Sequence, residues 1–261
     1  KGYSLWDLYK RAHTPYKWHK ELFNYARKIG IKIFSTPFDE KAVDFLEKLE
    51  CPFYKVASFE MTDIPLIKKI ASTKKRIIIS TGMASLKEIE TTYNYAKSFG
   101  IIKITLLYCV SKYPSKIEDF NLHNIDIMKK KFNCEVGFSD HSTDNNIASA
   151  ASLAGATVVE KHISLKKINA LDSQFSISGE EILNYKHHIN NPGLFIKKRI
   201  YNKLLGKRKF YRSKTEDKSK IFRRSIFIVK DIKKGDKFNN KNLKKIRPGF
   251  GISPVFYEKI I

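Results

Sequence analysis

Short apolar runs alternate with amphipathic helical patterns along most of the chain, and this alternation restricts the fold more than any other feature. The runs are rich in β-branched and aromatic residues, as buried strands are, and they occupy residues 32–36, 53–58, 76–81, 104–110, 135–140 and 157–163. Helical patterns occupy residues 16–29, 40–50, 63–73, 85–99, 121–132, 145–155 and 179–191. Strands that alternate with helices predict parallel strands joined by right-handed crossovers.

Two architectures fit this alternation: a doubly wound sheet and a TIM (β/α)8 barrel. A dinucleotide-binding doubly wound fold carries GxGxxG in its first βα turn, and this sequence has no such element there. Polar residues cluster instead where the strands end, which is where a barrel places its active site. We therefore predict an α/β TIM barrel. Six units leave two strands of such a barrel unaccounted for, and we expect them upstream of Lys1.

The pattern changes after about residue 200. We expect a barrel domain over residues 1–200 and a basic linker over residues 201–221. Residues 222–261 then read as a small β-rich domain, in which SIFIVKDIKKGDKF predicts a strand, a turn at Gly235 and a second strand. About forty residues bury little surface alone, so we expect this domain to dock on the barrel or on a partner subunit.

The formal net charge of +24 raises the question of an anionic partner. Lysines are spread over the whole length, and no RNA-recognition motif, zinc finger or KH loop accompanies them. We therefore attribute the charge mainly to a Lys-rich composition and expect no nucleic-acid partner. We also expect the charge to help draw in phosphorylated substrates. No apolar run is long enough for a membrane span. Three cysteines without a CxxC spacing favour a reducing, cytoplasmic setting.

Two histidines follow neighbouring predicted strands. His141 lies just past the run 135–140, and His162 lies at the end of the run 157–163. Because adjacent parallel strands end side by side, the two imidazoles could share a ligand. Two histidines and water suit Mn²⁺ or a similar octahedral ion better than structural zinc. On spacing alone, two unrelated polar residues near strand ends remain an alternative.

Hydroxyls and a lysine recur at the other strand ends. Together with nearby backbone amides they offer what a phosphate group needs; they are Thr36, Lys55, Ser58, Ser80 and Ser139. Ordinary helix N-capping explains any one of the hydroxyls equally well. Several strand ends that present hydroxyls at the same end of the predicted barrel favour a phosphate site more strongly than any single hydroxyl does.

Two alternative roles are open for Glu160, and two for Arg247. Strand alternation points Glu160 to the same side as His162, so it either lines the site or forms an ion pair with Lys55. Arg247, beside a Pro-Gly turn, is either solvated or reaches a carboxylate or hydroxyl across an interface.

The motifs, taken in order, resemble the sialic acid synthase family, and within it the pseudaminic acid branch. They cover essentially the whole chain: STPFD, FYKVASFEMTD, IIISTGM, YCVSKYP, GFSDHS, VVEKHIS, LDSQFS, RRSIFIVKDIKKGDKF and RPGFG. The branch rests on Ser111, where neuraminate synthases usually carry Asn, and on the opening LWDLYKRAHTPYKWH.

The resemblance implies a barrel followed by an antifreeze-like (SAF) domain. It implies condensation of phosphoenolpyruvate with an open-chain N-acetylated amino sugar, here 2,4-diacetamido-2,4,6-trideoxy-altrose, with release of phosphate. It implies that His141 and His162 hold a divalent metal, Mn²⁺ before Mg²⁺ or Co²⁺, and that Glu160 belongs to the catalytic set. Contacts to phosphoenolpyruvate are implied for Lys55, Ser58, Ser80, Ser111 and Ser139, with Thr36 nearby. Contacts to the sugar are implied for Asp172, Gln174 and, across a domain-swapped homodimer, Arg247.

Some positions depart from the family pattern. The acidic residue of the family's first strand and the lysine of its second have no counterpart in this sequence, and Ala170-Leu171 replaces the usual Gly-Pro. Other functions therefore stay open: an N-acetylneuraminate or legionaminate synthase, a barrel aldolase or 8-phosphate-type deoxy-sugar-acid synthase, an inactive truncated barrel, and a basic polyanion-binding protein.

Overall fold

A parallel five-stranded sheet forms the centre of the computed structural model, which describes residues 4–165 and 170–261. Its strands lie in sequence order and are β1 (Tyr54–Val56), β2 (Ile77–Ser80), β3 (Ile104–Cys109), β4 (Glu135–Asp140) and β5 (Val159–Lys161). All four neighbouring pairs are parallel. The alternating pattern of the sequence therefore predicted this part of the fold correctly.

Helices precede and connect the strands. They are α1 (Leu5–Ala12), α2 (Tyr16–Lys28), α3 (Glu40–Glu47), α4 (Ile64–Ala71), α5 (Leu86–Ser98), α6 (His123–Phe132), α7 (Asn145–Leu153), α8 (Ile182–Asn190), α9 (Pro192–Phe195), α10 (Lys198–Leu205) and α11 (Tyr257–Ile260). Side-chain caps fix several starts, as at Asp39, Asp63 and Ser85. Among the described residues, no helix has the length and apolar character that a bilayer crossing needs.

The sheet has one face toward the helices and one face that lines the site. Ile77, Leu106 and Phe138 belong to a buried cluster with apolar residues of the helices. Residues between them in the strands point the other way. On that second face Lys55 of β1 contacts Glu160 of β5 at 3.0 Å, although four strand spacings of a flat sheet span about 19 Å. The sheet is therefore strongly curled, as in a half-barrel.

The run at residues 32–36 is not a strand, contrary to prediction. Residues 31–37 have no strand assignment, although Phe34 packs on Phe53 with 4.3 Å between ring centroids. Pro37 and Pro52 each remove a backbone N–H from the two segments that would have to pair. Ile33 and Phe34 therefore pack on the core, partly buried, without ladder hydrogen bonds.

The run at residues 157–163 is one strand in the prediction and two in the structure. After β5 the chain leaves the sheet, and β6 (Ile163–Ser164) pairs instead with β7 (Ile177–Ser178) in a parallel two-stranded sheet. His162 lies between β5 and β6 and accepts the amide N–H of Ile177 at its carbonyl oxygen, 3.0 Å away. The break brings the segment around Asp172 back to the end of β5.

The C-terminal part differs from prediction in two places. β8 (Ser225–Ile228) pairs antiparallel with β9 (Leu243–Ile246), so the second strand lies beyond the predicted segment 236–238. The residues between them are mostly polar, and buried Leu243 marks where pairing begins. The stretch predicted as a basic linker contains the end of α10 and a 3-10 helix at Lys214–Phe222, and its Leu204 and Glu216 are fully buried. It is packed on the sheet and is not an exposed tether.

Candidate functional site

His141 and His162 lie side by side at the carboxyl ends of β4 and β5. The register pairs Asp140 with Lys161, so the residues that follow them leave the sheet next to each other. Their ring centroids are 5.3 Å apart. Asp140 and Lys161 themselves form a buried ion pair of 3.1 Å on the opposite face, which fixes this register behind the histidines.

Neighbouring groups fix the orientation of both rings. Nδ1 of His141 lies 3.0 Å from the carbonyl oxygen of Val110, and burial lowers the pKa of His141 to about 4. The ring is therefore neutral at pH 7, Nδ1 donates to Val110, and Nε2 carries a lone pair. Nε2 has one long contact, 3.4 Å to Ser139 Oγ. Nδ1 of His162 lies 3.1 Å from Asp172 Oδ2.

Two aromatic side chains enclose the histidine pair, and neither was predicted as a site residue. The ring of Tyr113 lies 4.5 Å from that of His141, and the ring of Phe175 lies 4.9 Å from that of His162. Both lie in motifs that contain predicted site residues, SKYP with Ser111 and SQF with Gln174. Their place in these motifs is the sequence feature that could have identified them.

Lys55, Ser139 and Glu160 form a connected polar group below the histidines. Glu160 Oε1 lies 3.0 Å from Lys55 Nζ and accepts from Ser139 Oγ at 2.6 Å. Burial alone would raise the pKa of Glu160, but the Lys55 charge and the Ser139 hydrogen bond hold it below its ordinary value. The ion-pair reading of Glu160 is therefore correct, and the pair still faces the site.

Gly82 lies where hydroxyls from three strand ends meet. Its amide N–H donates to Ser58 Oγ at 3.0 Å. A Cβ placed on Gly82 would lie 2.0 Å from Ser111 Oγ and 2.9 Å from Ser58 Oγ, so only glycine fits. Ser80 precedes it on β2, and its buried hydroxyl has no hydrogen-bond partner within residues 4–165 and 170–261. We call Ser58, Ser80, Gly82 and Ser111 the hydroxyl cradle.

Two predicted site residues are not brought into this arrangement. Thr36 lies in the irregular segment 31–37 and is partly exposed. Gln174 is exposed in a 3-10 turn at Ser173–Phe175. Asp172 contacts His162 but is itself exposed.

Arg247 contacts the segment that follows β1 of its own chain through Glu60, a residue that was not predicted. Nη2 of Arg247 lies 2.7 Å from Glu60 Oε1, and Arg224 Nε lies 3.4 Å from the same oxygen. Burial alone would lower the pKa of Arg247, but Glu60 raises it above its ordinary value. The Arg247 guanidinium also stacks over Tyr9, 4.7 Å from the ring centroid. The sequence feature that could have identified Glu60 is its position two residues after Ser58, a predicted site residue.

The donor set near the histidines suits an open divalent-metal site. In the part of the chain that the structure describes, no group of three or more His, Cys, Asp and Glu side chains is arranged around a common point. Two imidazole nitrogens as ligands would leave the remaining positions of an octahedral ion to water and substrate. They do not make the closed four-ligand site that structural zinc requires.

Known proteins match this chain over nearly its whole length. Residues 1–199 match the NeuB family. The chain is 40% identical to the pseudaminic acid synthase of Helicobacter pylori over 99% of this chain and 74% of that protein. It is 39% identical to the N,N'-diacetyllegionaminic acid synthase of Campylobacter jejuni over 98% of this chain and 75% of that one.

Solved structures give the same result for the fold. The crystal structure of the spore coat polysaccharide biosynthesis protein SpsE from Bacillus subtilis has a TM-score of 0.87 and 29% identity, covering 99% of this chain and 75% of that chain. Both sequence relatives named above are synthases, and this chain is an enzyme of the same kind. The chain therefore belongs to the NeuB family, the sialic acid synthase family that its motifs resemble.

Proposed function

We propose that the chain condenses phosphoenolpyruvate with an open-chain 2,4-diacetamido-2,4,6-trideoxy-altrose, giving pseudaminic acid and phosphate. The observation that carries the proposal is that a hydroxyl cradle, a buried Lys55–Glu160 pair and a pair of histidines meet at one end of the curled sheet. Identity to pseudaminic acid synthases supports the choice of sugar.

Phosphoenolpyruvate would bind between the cradle and the Lys55–Glu160 pair. The hydroxyls of Ser58, Ser80 and Ser111 are small donors that can converge on phosphate oxygens, and Lys55 supplies positive charge. The buried Ser80 hydroxyl has no hydrogen-bond partner in the described chain, so a ligand oxygen would satisfy it. Ser139 would complete the set from β4.

Nε2 of His141 and the ring of His162 would hold a divalent cation. The lowered pKa of His141 keeps its nitrogen available near neutral pH, and Asp172 orients His162. A cation bound here, Mn²⁺ before Mg²⁺ or Co²⁺, supplies Lewis-acid polarisation of a carbonyl oxygen. Tyr113 and Phe175 would pack against the two imidazoles and restrict how their rings can turn.

The sugar would bind above the histidines, between Asp172, Gln174 and Arg247. Thr36 lies on the remaining side of the mouth in this proposal. We also propose that residues 1–200 belong to a TIM barrel and residues 222–261 to an SAF-type domain. In a domain-swapped homodimer, Arg247 would make its Glu60 contact on the other subunit, because a swap repeats the same contact between chains.

The test is release of phosphate from phosphoenolpyruvate with Mn²⁺ and a panel of three sugars: the altrose derivative, its manno counterpart for legionaminic acid, and N-acetylmannosamine. We expect the highest kcat/KM with the altrose derivative. Highest kcat/KM with the manno counterpart would assign the chain to legionaminic acid synthesis, which the 39% identity to that synthase makes the second candidate. No phosphate release with any sugar would reject the proposed function.

A further inference from the structure

The stretch from Arg212 to Ser219, between α10 and β8, holds the ends of β2 and β3 from outside the cradle. We call it the strap. The guanidinium of Arg212 donates to the carbonyl oxygens of Cys109 at 2.6 Å, Ala84 at 3.2 Å and Thr81. The Arg212 side chain is nearly buried and stacks over Tyr108, 4.9 Å from the ring centroid.

Glu216, the second anchoring residue of the strap, accepts hydrogen bonds from two backbone amides. Its Oε1 accepts from the N–H of Met83 at 2.8 Å and from the N–H of Ser111 at 2.8 Å. Ser219 Oγ donates to the carbonyl oxygen of Ser111 at 2.6 Å. Both backbone polar groups of Ser111 are therefore bonded to strap side chains.

These contacts fix the two loops whose separation defines the hydroxyl cradle. Gly82 lies between Thr81 and Met83, which contact Arg212 and Glu216 respectively. The space between Gly82 and the Ser111 hydroxyl is too small for one methyl group. A relaxation of either loop by a fraction of an ångström would change how the hydroxyls converge.

We propose that Arg212 and Glu216 are positioning residues for phosphoenolpyruvate, acting through the backbone of the β2 and β3 ends. The inference rests on the proposed function, because it assigns the cradle to the phosphate of that substrate. Removing the Glu216 carboxylate leaves the Met83 and Ser111 amides unpaired in a buried place, and the two loops then have no common acceptor. Among the described residues, no hydrogen bond of the strap goes to either imidazole ring. The Ser111 N–H that Glu216 accepts belongs to the same peptide as the Val110 carbonyl that binds His141, so His141 is coupled to the strap through this one peptide.

The experiment compares Glu216→Ala, Glu216→Gln and Thr215→Val in the full chain. Glutamine keeps an oxygen that accepts both amides. Thr215 lies in the same strap but donates to Asp119 Oδ1 at 2.9 Å, away from the cradle, so Thr215→Val is the matched control. The measurements are the Kd of phosphoenolpyruvate by calorimetry and the KM of each substrate.

For Glu216→Ala we expect the Kd of phosphoenolpyruvate, measured without metal or sugar, to rise about tenfold, and the KM of phosphoenolpyruvate to rise more than the KM of the sugar. Glu216→Gln and Thr215→Val should bind within about threefold of the wild type. If Glu216→Ala does not fold, Arg212→Lys replaces it, because lysine cannot reach three carbonyl oxygens at once.

A Glu216→Ala chain that binds phosphoenolpyruvate as tightly as the Thr215→Val control would overturn the inference alone. A fall in kcat with both KM values unchanged would also overturn it, since that result indicates loss of folded protein. If the wild-type chain binds neither phosphoenolpyruvate nor inorganic phosphate, the proposed function fails, and the positioning role fails with it.

Discussion

Lys55 and Glu160 form an ion pair of 3.0 Å between the two edge strands of the five-stranded sheet. The side chains are 16% and 26% exposed, so the pair is largely removed from water. It lies on the concave face and connects directly to Ser139, the residue two positions before His141. The Lys55–Glu160 contact thus bridges the two edges of the curled sheet. It also lies between the proposed phosphate site and the histidine pair.

Replacing Lys55 by Met should weaken both folding and ligand binding. Glu160 would lose the charge that holds its pKa below its ordinary value. An acid left without its partner in a mostly buried site costs about 2–3 kcal/mol of unfolding free energy. Chemical denaturation at pH 7 measures this cost. The exposed pair Lys203–Glu118 offers the control, because Lys203→Met should cost less than about 0.5 kcal/mol.

The double variant Lys55→Met/Glu160→Gln separates the stability role from the binding role. Without an unpaired charge, the unfolding free energy should return to within about 1 kcal/mol of the wild type. Binding of phosphoenolpyruvate should stay weak, because the cation is still absent. Recovery of binding together with stability would show that Lys55 has no part in the substrate site.

The histidine pair gives the metal prediction. His141→Ala and His162→Ala should each weaken Mn²⁺ binding at pH 7.5 by at least about tenfold, because one of two protein donors is lost. Manganese EPR measures this without reference to turnover. His13→Ala is the control, since its ring is exposed and bonds to the carbonyl oxygen of Lys10. Unchanged Mn²⁺ affinity in both site variants would remove the metal assignment.

The sequence predicted the parts of this molecule that follow from periodicity. The five-stranded parallel order and the connecting helices follow from apolar spacing, and the adjacency of His141 and His162 follows from parallel strand ends. The run at 32–36 was predicted wrongly, because periodicity carries no information about the two prolines that prevent pairing.

The site residues that the sequence did not reveal contact partners that are far away in the sequence. Glu60 meets Arg247 across 187 positions, and Glu216 meets Met83 across 133. Each looked like one more charged residue in a chain with 26 acids and 50 basic residues. Only burial distinguishes them, and burial depends on how the C-terminal part packs on the sheet.

Gly82→Ala should abolish the cradle while leaving the chain folded. The new methyl group would lie 2.0 Å from Ser111 Oγ, so the Ser111 side chain must turn away and the cradle is filled. We expect phosphoenolpyruvate affinity to fall by at least about tenfold, measured by calorimetry. Gly179→Ala is the matched control, because no atom lies within 4 Å of its added Cβ. Equal affinity in both variants would contradict the cradle.

Acid should weaken the attachment of the C-terminal part to the barrel. Burial alone would raise the pKa of Glu88, but the hydrogen bond and charge of Arg223 hold it below the ordinary 4.5. A lowered folded pKa means that the pair stabilises the fold above pH 4.5 and that this contribution is lost as pH falls through the folded pKa. Glu88→Gln should cost about 0.5 kcal/mol at pH 7, since Glu88 is partly exposed.

The difference between Glu88→Gln and the wild type should then shrink toward zero as the pH falls below 4.5 and through the folded pKa, because the wild-type carboxyl also becomes neutral. Urea denaturation across this range measures it. Glutamine keeps the hydrogen bond to the amide of Ser85, so the helix cap is constant in the comparison. If Glu88→Gln lowers the unfolding free energy by the same amount across this pH range, the charge of Glu88 does not contribute to stability.

Arg247 gives a test of the dimer that needs no further structure. If Arg247 meets Glu60 of the other subunit, each site takes its barrel from one chain and its arginine from the other. Arg247→Ala and His141→Ala are then both inactive alone, but a mixed dimer contains one intact site. Unfolding the two variants together and refolding them should restore about a quarter of wild-type phosphate release, because half of the dimers are mixed and each has one of two sites. Refolding each variant by itself is the control. No recovery in the mixture would place the Arg247–Glu60 contact within one chain, as it lies in the single chain described here.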